Sequence, residues 1–217
     1  QLLEKALPMG SRTIIYDCYG AGAYRDRSQS RHRPFEAFVQ LSNELARATN
    51  SPLFFPYNSS IDMAAAFRTK LSLAAEIFSI DNPDALLVLL VDAADNAVHA
   101  AESFTPVEKC FVHELATFQD LPGNVRIVIS SRSGRVKKLG LPEGTPQVRC
   151  PPFSLDETTE FLSLINKTGS SSQVQDFHEL STHNPRVQSN ALSRSNSLNE
   201  AIDFLEPNGQ TLPDLFD

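Results

Sequence analysis

The chain of 217 residues has no uninterrupted apolar run approaching the ~18 residues of a membrane-crossing helix, so no membrane span is expected. Its three cysteines, Cys18, Cys110 and Cys150, are odd in number and far apart. They form neither a disulfide framework nor a paired zinc spacing, and they point to a reducing, cytoplasmic setting. None of the five histidines lies in an H-E-x-x-H pattern, because His113–Glu114 and His178–Glu179 lack the second histidine. Surface or packing roles are expected for them. No G-x-S-x-G elbow occurs, which removes the commonest serine-hydrolase signature. Cys18 and Cys110 have no base at a diagnostic spacing, although a triad need not be contiguous. The formal net charge of −7 argues against a whole-surface nucleic-acid binder and leaves room only for a local basic patch.

What is present is an ordinary globular balance, 41% hydrophobic and 21% charged residues. That suffices for one large α/β domain, or a medium domain with a smaller one. "QLLEKALPMG" reads as the end of a helix, with Leu2, Leu3, Ala6 and Leu7 on one face and Pro8 and Gly10 as its stop. No capping residue precedes it, so the sequence is expected to be cut from a larger protein. "RTIIYDCYG" (12–20) reads as a strand followed by an arginine-rich loop. Pro34 opens a helix carrying Phe35, Phe38, Leu41 and Leu45, and a second runs over 61–80.

The stretch "ALLVLLVDAADNA" (85–97) is a continuous apolar run that meets an acid. Between turn signals, such a run suits a strand buried on both faces of a parallel sheet. A helix is expected over "VEKCFVHELATFQDLP", with Phe111, Leu115 and Phe118 inward. A third buried strand is expected over 124–132 and a short fourth one around 147–150. Alternating strands and helices imply a doubly wound, mostly parallel α/β sheet over 1–150. The texture after Pro152 is helical, giving a small helical subdomain over 151–217. Ligands of parallel sheets sit outside the carboxyl ends of the strands. Asp92, Arg132 and the loop from Tyr19 to Arg33 are all expected at such ends.

In this order, the helix end, "LLVLLVD", "VRIVISSR" and "HNPRVQSNAL" resemble the STAND class of P-loop NTPases, kin of NACHT and NB-ARC modules and of AAA+ ATPases. The closest flavour is that of bacterial STAND defence and signalling switches. The resemblance implies a P-loop-like sheet, incomplete at its N-terminus, that binds ATP and Mg²⁺ in the intact protein. It implies Asp92 as the Walker B acid on the magnesium side, Asp95 as a second acid that orients the attacking water, and Arg132 as a sensor of the γ-phosphate. Pro185 would lie against the adenine. Many relatives have an acid where this chain has Asn96, and an amide cannot take up a proton as a carboxylate does, so slow turnover is expected.

No G-x-x-x-x-G-K-[ST] is present, and "GSRT" lacks both lysine and spacing. The phosphate loop is therefore expected upstream, and this piece alone should bind ATP weakly or not at all. Self-oligomerisation is implied, with an activating ligand and effector domains outside these residues. "YRDRSQSRHR" reads either as a solvated loop or as a source of arginines for a neighbour's phosphates or an activating ligand. Each marked residue also has a plainer reading: a strand that happens to end in acid, an exposed arginine, a proline at a helix start. The alternative for the whole is a non-catalytic interaction module whose nucleotide site has decayed.

Overall fold

The computed structural model describes residues 6–28, 31–56 and 61–205. The first five residues of the expected N-terminal helix end lie outside them. The chain divides into two compact units, Gln1–Gln147 and Val148–Asp217.

The first unit is an α/β layer built on three parallel strands in the order β1-β2-β3. β1 spans Arg12–Asp17 and is followed by a 3₁₀ helix, Gly20–Arg25. Two helices, α1 (Pro34–Thr49) and α2 (Met63–Asp81), lead to β2, Leu87–Asp92. Then come α3 (Ala94–Glu102), α4 (Phe111–Ala116), β3 (Val125–Ile129) and a 3₁₀ helix, Ser133–Leu139. Helix α1 begins with Pro34 at its first turn and stops at Asn50, whose φ of 54° is left-handed. Proline lacks only a donor that a helix start leaves unused, and asparagine tolerates the left-handed region. Asp62 caps α2 by accepting from the Ala65 N–H at 3.0 Å.

The core lies between the sheet and the aromatic faces of these helices. Tyr16 of β1 meets Phe111 of α4 edge-on at 5.0 Å, and Phe38 of α1 stacks on Phe67 of α2 at 4.9 Å. Such pairs add ~0.5–1.5 kcal/mol beyond their burial. Strand β2 is central, and Leu87, Val88, Leu89 and Val91 are all buried. That is why its sequence does not alternate.

Three expectations need correction. β3 is shorter than 124–132 and only half-buried: Val128 is 41% exposed, in register with Leu90 and, across β2, with Ile15 at 56%. No strand forms at 147–150, where Val148 is 91% exposed. Pro146, Pro151 and Pro152 flank that run and cannot donate to a ladder. Helix α4 starts at Phe111 rather than Val107. The Phe111 N–H donates to the His32 carbonyl, and Glu108 is drawn away by His32 and Arg33. Phe35 is also half-exposed, while Phe38, Leu41 and Leu45 carry the buried stripe of α1.

The second unit is helical: α5 (Leu155–Leu164), α6 (Ser171–Leu180), α7 (Pro185–Ser193) and α8 (Leu198–Leu205). Ser154 with Glu157 and Ser170 with Gln173 form reciprocal capping boxes. Leu162, Phe177, Ala191, Leu192 and Ala201 form its own core.

Candidate functional site at the carboxyl ends of the strands

Strand β2 ends at Asp92, and its exposed carboxylate accepts from the Ser130 hydroxyl at 2.5 Å. The same Ser130 oxygen accepts from the Ala93 N–H at 2.8 Å, and its carbonyl accepts from Ala94 N at 2.9 Å. Ser130, just past β3, thus clamps the corner where β2 turns into α3. That corner is tight enough to hold Ala93 at a φ of 52°. A left-handed alanine costs about 1–2 kcal/mol, and such strain gathers at functional corners.

The turn at Ala93 directs the first turn of α3 inward. Asp95 is only 2% exposed and is paired rather than free. Its Oδ2 accepts from Arg132 Nε at 2.6 Å, and Arg135 Nη1 lies 3.6 Å away. Arg132 also donates through Nη2 to Asn96 Oδ1 at 2.6 Å. A carboxylate this buried requires such partners, because desolvation without them would be severe. Asp92, Asp95 and Arg132 are therefore neighbours in the first unit, joined by Asn96, Ser130 and Arg135. Pro185 belongs to the second unit, at the start of α7, where the Asn184 side chain caps the helix by accepting from Arg186 N at 3.0 Å.

On the other side of β2, Asp17 is in register with Asp92. Its carboxylate is committed locally, accepting from the N–H groups of Tyr19 at 2.8 Å and Gly20 at 3.0 Å. Gly20 has a φ of +54°, where glycine is unstrained, and a Cβ there would come within 2.5 Å of Arg31 Nε and displace that side chain. The arginine-rich loop is anchored rather than simply solvated. Arg31 donates to the Asp17 carbonyl at 2.7 Å and Arg27 to that of Ser103 at 3.2 Å. Arg33 grips Glu108 with two bonds, 2.7 and 2.9 Å, and His32 Nε2 reaches the same carboxylate at 2.8 Å. These bonds, Arg33 first, hold the Glu108 carboxyl down at about 2. Residues 29 and 30 of this loop lie outside the described residues.

Both buried thiols of this unit are pushed up by desolvation, Cys110 to about 11 and Cys18 further. Neither is a nucleophile at neutral pH. Among the described residues, no group of three or more His, Cys, Asp or Glu side chains converges on a common metal position. At the end of β2, Asp92 is exposed and lies beside a hydroxyl. That donor set fits a cation such as Mg²⁺, which keeps most of its own waters and takes only one or two carboxylates.

Sequence reasoning marked Asp92, Asp95, Asn96 and Arg132, but gave no role to Ser130, Arg135 or the strained Ala93. "ISSR" placed Ser130 at a strand end, the one signal that it faced the neighbouring strand. No family model matches the chain, and comparison with curated proteins finds no match.

Proposed function

We propose that this chain is the nucleotide-switch module of a larger STAND-type signalling or antiviral defence protein. In this reading it binds ATP·Mg²⁺ at the carboxyl ends of β2 and β3. Nucleotide state is coupled to self-association and to effector activation by parts outside these residues. A P-loop-like sheet, doubly wound only when strands outside these residues complete it, and a cytoplasmic setting belong to the same reading. The parallel pairing of β1, β2 and β3 supports the first and the three free cysteines the second.

The observation that carries the proposal is the pairing of opposite offers at adjacent strand ends. Asp92 presents an open carboxylate, which a hydrated cation needs. Next to it, Arg132 and Arg135 present partly exposed guanidiniums, which a phosphate group needs. Asp92 would hold Mg²⁺ through its waters. Arg132 would meet the terminal phosphate. Asp95, engaged by two arginines, would position them before it could act on water. With Asn96 beside it, the site holds nucleotide better than it cuts it.

A second reading, a non-catalytic interaction module, is favoured by one observation: Asp95, Asn96 and Arg132 already satisfy one another. Calorimetric titration of ATP, with and without Mg²⁺, separates the two. It is made on the protein carrying whatever its gene encodes ahead of Gln1. The switch requires magnesium-dependent binding that Asp92→Ala abolishes. Binding that ignores both magnesium and Asp92 sinks the switch reading, and absence of binding favours the module.

A further inference from the structure

Around Asp95 the charges do not cancel. One carboxylate, 2% exposed, faces the guanidinium of Arg132 at 2.6 Å and that of Arg135 at 3.6 Å. Within this ion-paired group two guanidiniums meet one carboxylate, an excess of one positive charge, and the exposed Asp92 lies outside the pairing. The neighbouring position on α3 decides whether that charge survives. Asn96, itself 5% exposed, accepts from Arg132 Nη2 at 2.6 Å. An aspartate at this position would accept the same bond and bring the cluster to neutrality. The amide holds the guanidinium by geometry without discharging it.

The two arginines are held differently. Arg132 is fixed by Nε and Nη2 across Asp95 and Asn96, and its side chain is 52% exposed. Arg135 stands beyond hydrogen-bond range of Asp95 (about 3.2 Å for N–H···O) with a 36% exposed side chain, so turning outward breaks no bond to Asp95. A fixed guanidinium beside a loosely held one, two cations sharing one paired carboxylate, is a receptor for a small oxyanion.

We infer that Asn96 is a positioning residue for a phosphate group at the carboxyl end of β3: it orients Arg132 while leaving the Arg132–Arg135 pair positively charged, and Arg135 is the second guanidinium that turns to the ligand. The inference rests on the nucleotide reading for the source of that phosphate, the terminal group of the bound nucleotide. The charge argument itself concerns any phosphate.

The test titrates inorganic pyrophosphate without magnesium, and ATP·Mg²⁺ in parallel, into the same protein and into Asn96→Asp, Asn96→Ala and Arg135→Gln. Asn96→Asp is expected to weaken pyrophosphate binding about tenfold, Asn96→Ala about threefold and Arg135→Gln about fivefold. Thermal stability should run the other way, with Asn96→Asp above Asn96→Ala, because aspartate keeps the bond to Arg132. A merely structural Asn96 puts Asn96→Ala last in both affinity and stability, and that result overturns the inference. Should Asn96→Asp fail to fold, unchanged pyrophosphate affinity in Arg135→Gln overturns it, as does wild-type protein that binds no pyrophosphate. If pyrophosphate follows the expected order while ATP binding ignores Asp92, the phosphate site stands and the nucleotide reading falls.

Discussion

The hydroxyl of Ser130 donates to the carboxylate of Asp92 at 2.5 Å and joins the ends of two adjacent parallel strands. One serine thereby orients the most exposed acid of the site and supplies the acceptor for the Ala93 N–H. Ser130→Ala removes both bonds and leaves a partly buried N–H without its partner. The expected loss is about 1–3 kcal/mol, read as a lower urea midpoint at unchanged slope. Loss of magnesium-dependent nucleotide binding should accompany it. An unchanged midpoint would show that the clamp contributes nothing to the corner.

Ala93 sits in the left-handed region at a φ of 52°. Glycine visits that region freely but has more freedom to lose on folding. Relief of about 1–2 kcal/mol against an entropy cost of about 0.4–1 kcal/mol gives a net gain. Ala93→Gly should therefore raise the midpoint of thermal unfolding slightly, whereas Ala93→Val should lower it. The opposite order would place the strain elsewhere.

Acid should loosen the arginine-rich loop in a defined window. The folded pKa of Glu108, about 2, lies below its ordinary 4.5 because Arg33 and His32 bond its charged form. A depressed carboxyl contributes stability that is fully present above the ordinary value and is lost as pH falls toward the folded one. The Glu108 side chain is 28% exposed, so screening keeps the effect modest. The difference in unfolding midpoint between wild type and Glu108→Gln should be constant above 4.5 and shrink below it. A constant difference down to pH 3 would refute the pairing.

In the second unit, the reciprocal bonds of Ser154 and Glu157 start α5. Ser154→Ala is expected to cost about 1 kcal/mol. Amide exchange should localise the loss to Leu155–Leu164, without change around Asp92.

Much of the fold was legible because period and punctuation agree. The run from Leu87 to Val91 could be buried only on both faces, Pro34 could only open a helix, and Ser154–Glu157 is a start signal by itself. What failed was partner-dependent. The short fourth strand looked plausible because Val148 is β-branched, yet prolines on either side deny it a ladder. Helix α4 starts at Phe111 and not at Val107, and nothing local reveals that Glu108 is claimed by Arg33, 75 residues earlier. The candidate site divides the same way. Acids at strand ends announce themselves, but the pairing of Asp95 with Arg132 joins elements 37 residues apart and is visible only once β2 and β3 lie side by side.

The strand order has a consequence for the isolated chain's behaviour in solution. Parallel crossovers share one hand, and β1, β2 and β3 advance across the sheet in a single direction. Both connections therefore deliver helices to the same side, where Phe38 of α1 and Phe111 of α4 meet. The opposite side keeps Ile15 and Val128 wet. Colloidal behaviour should hinge on that row: a hydrophobic dye will light up on it, light scattering will climb with concentration, and Val128→Lys will quiet both.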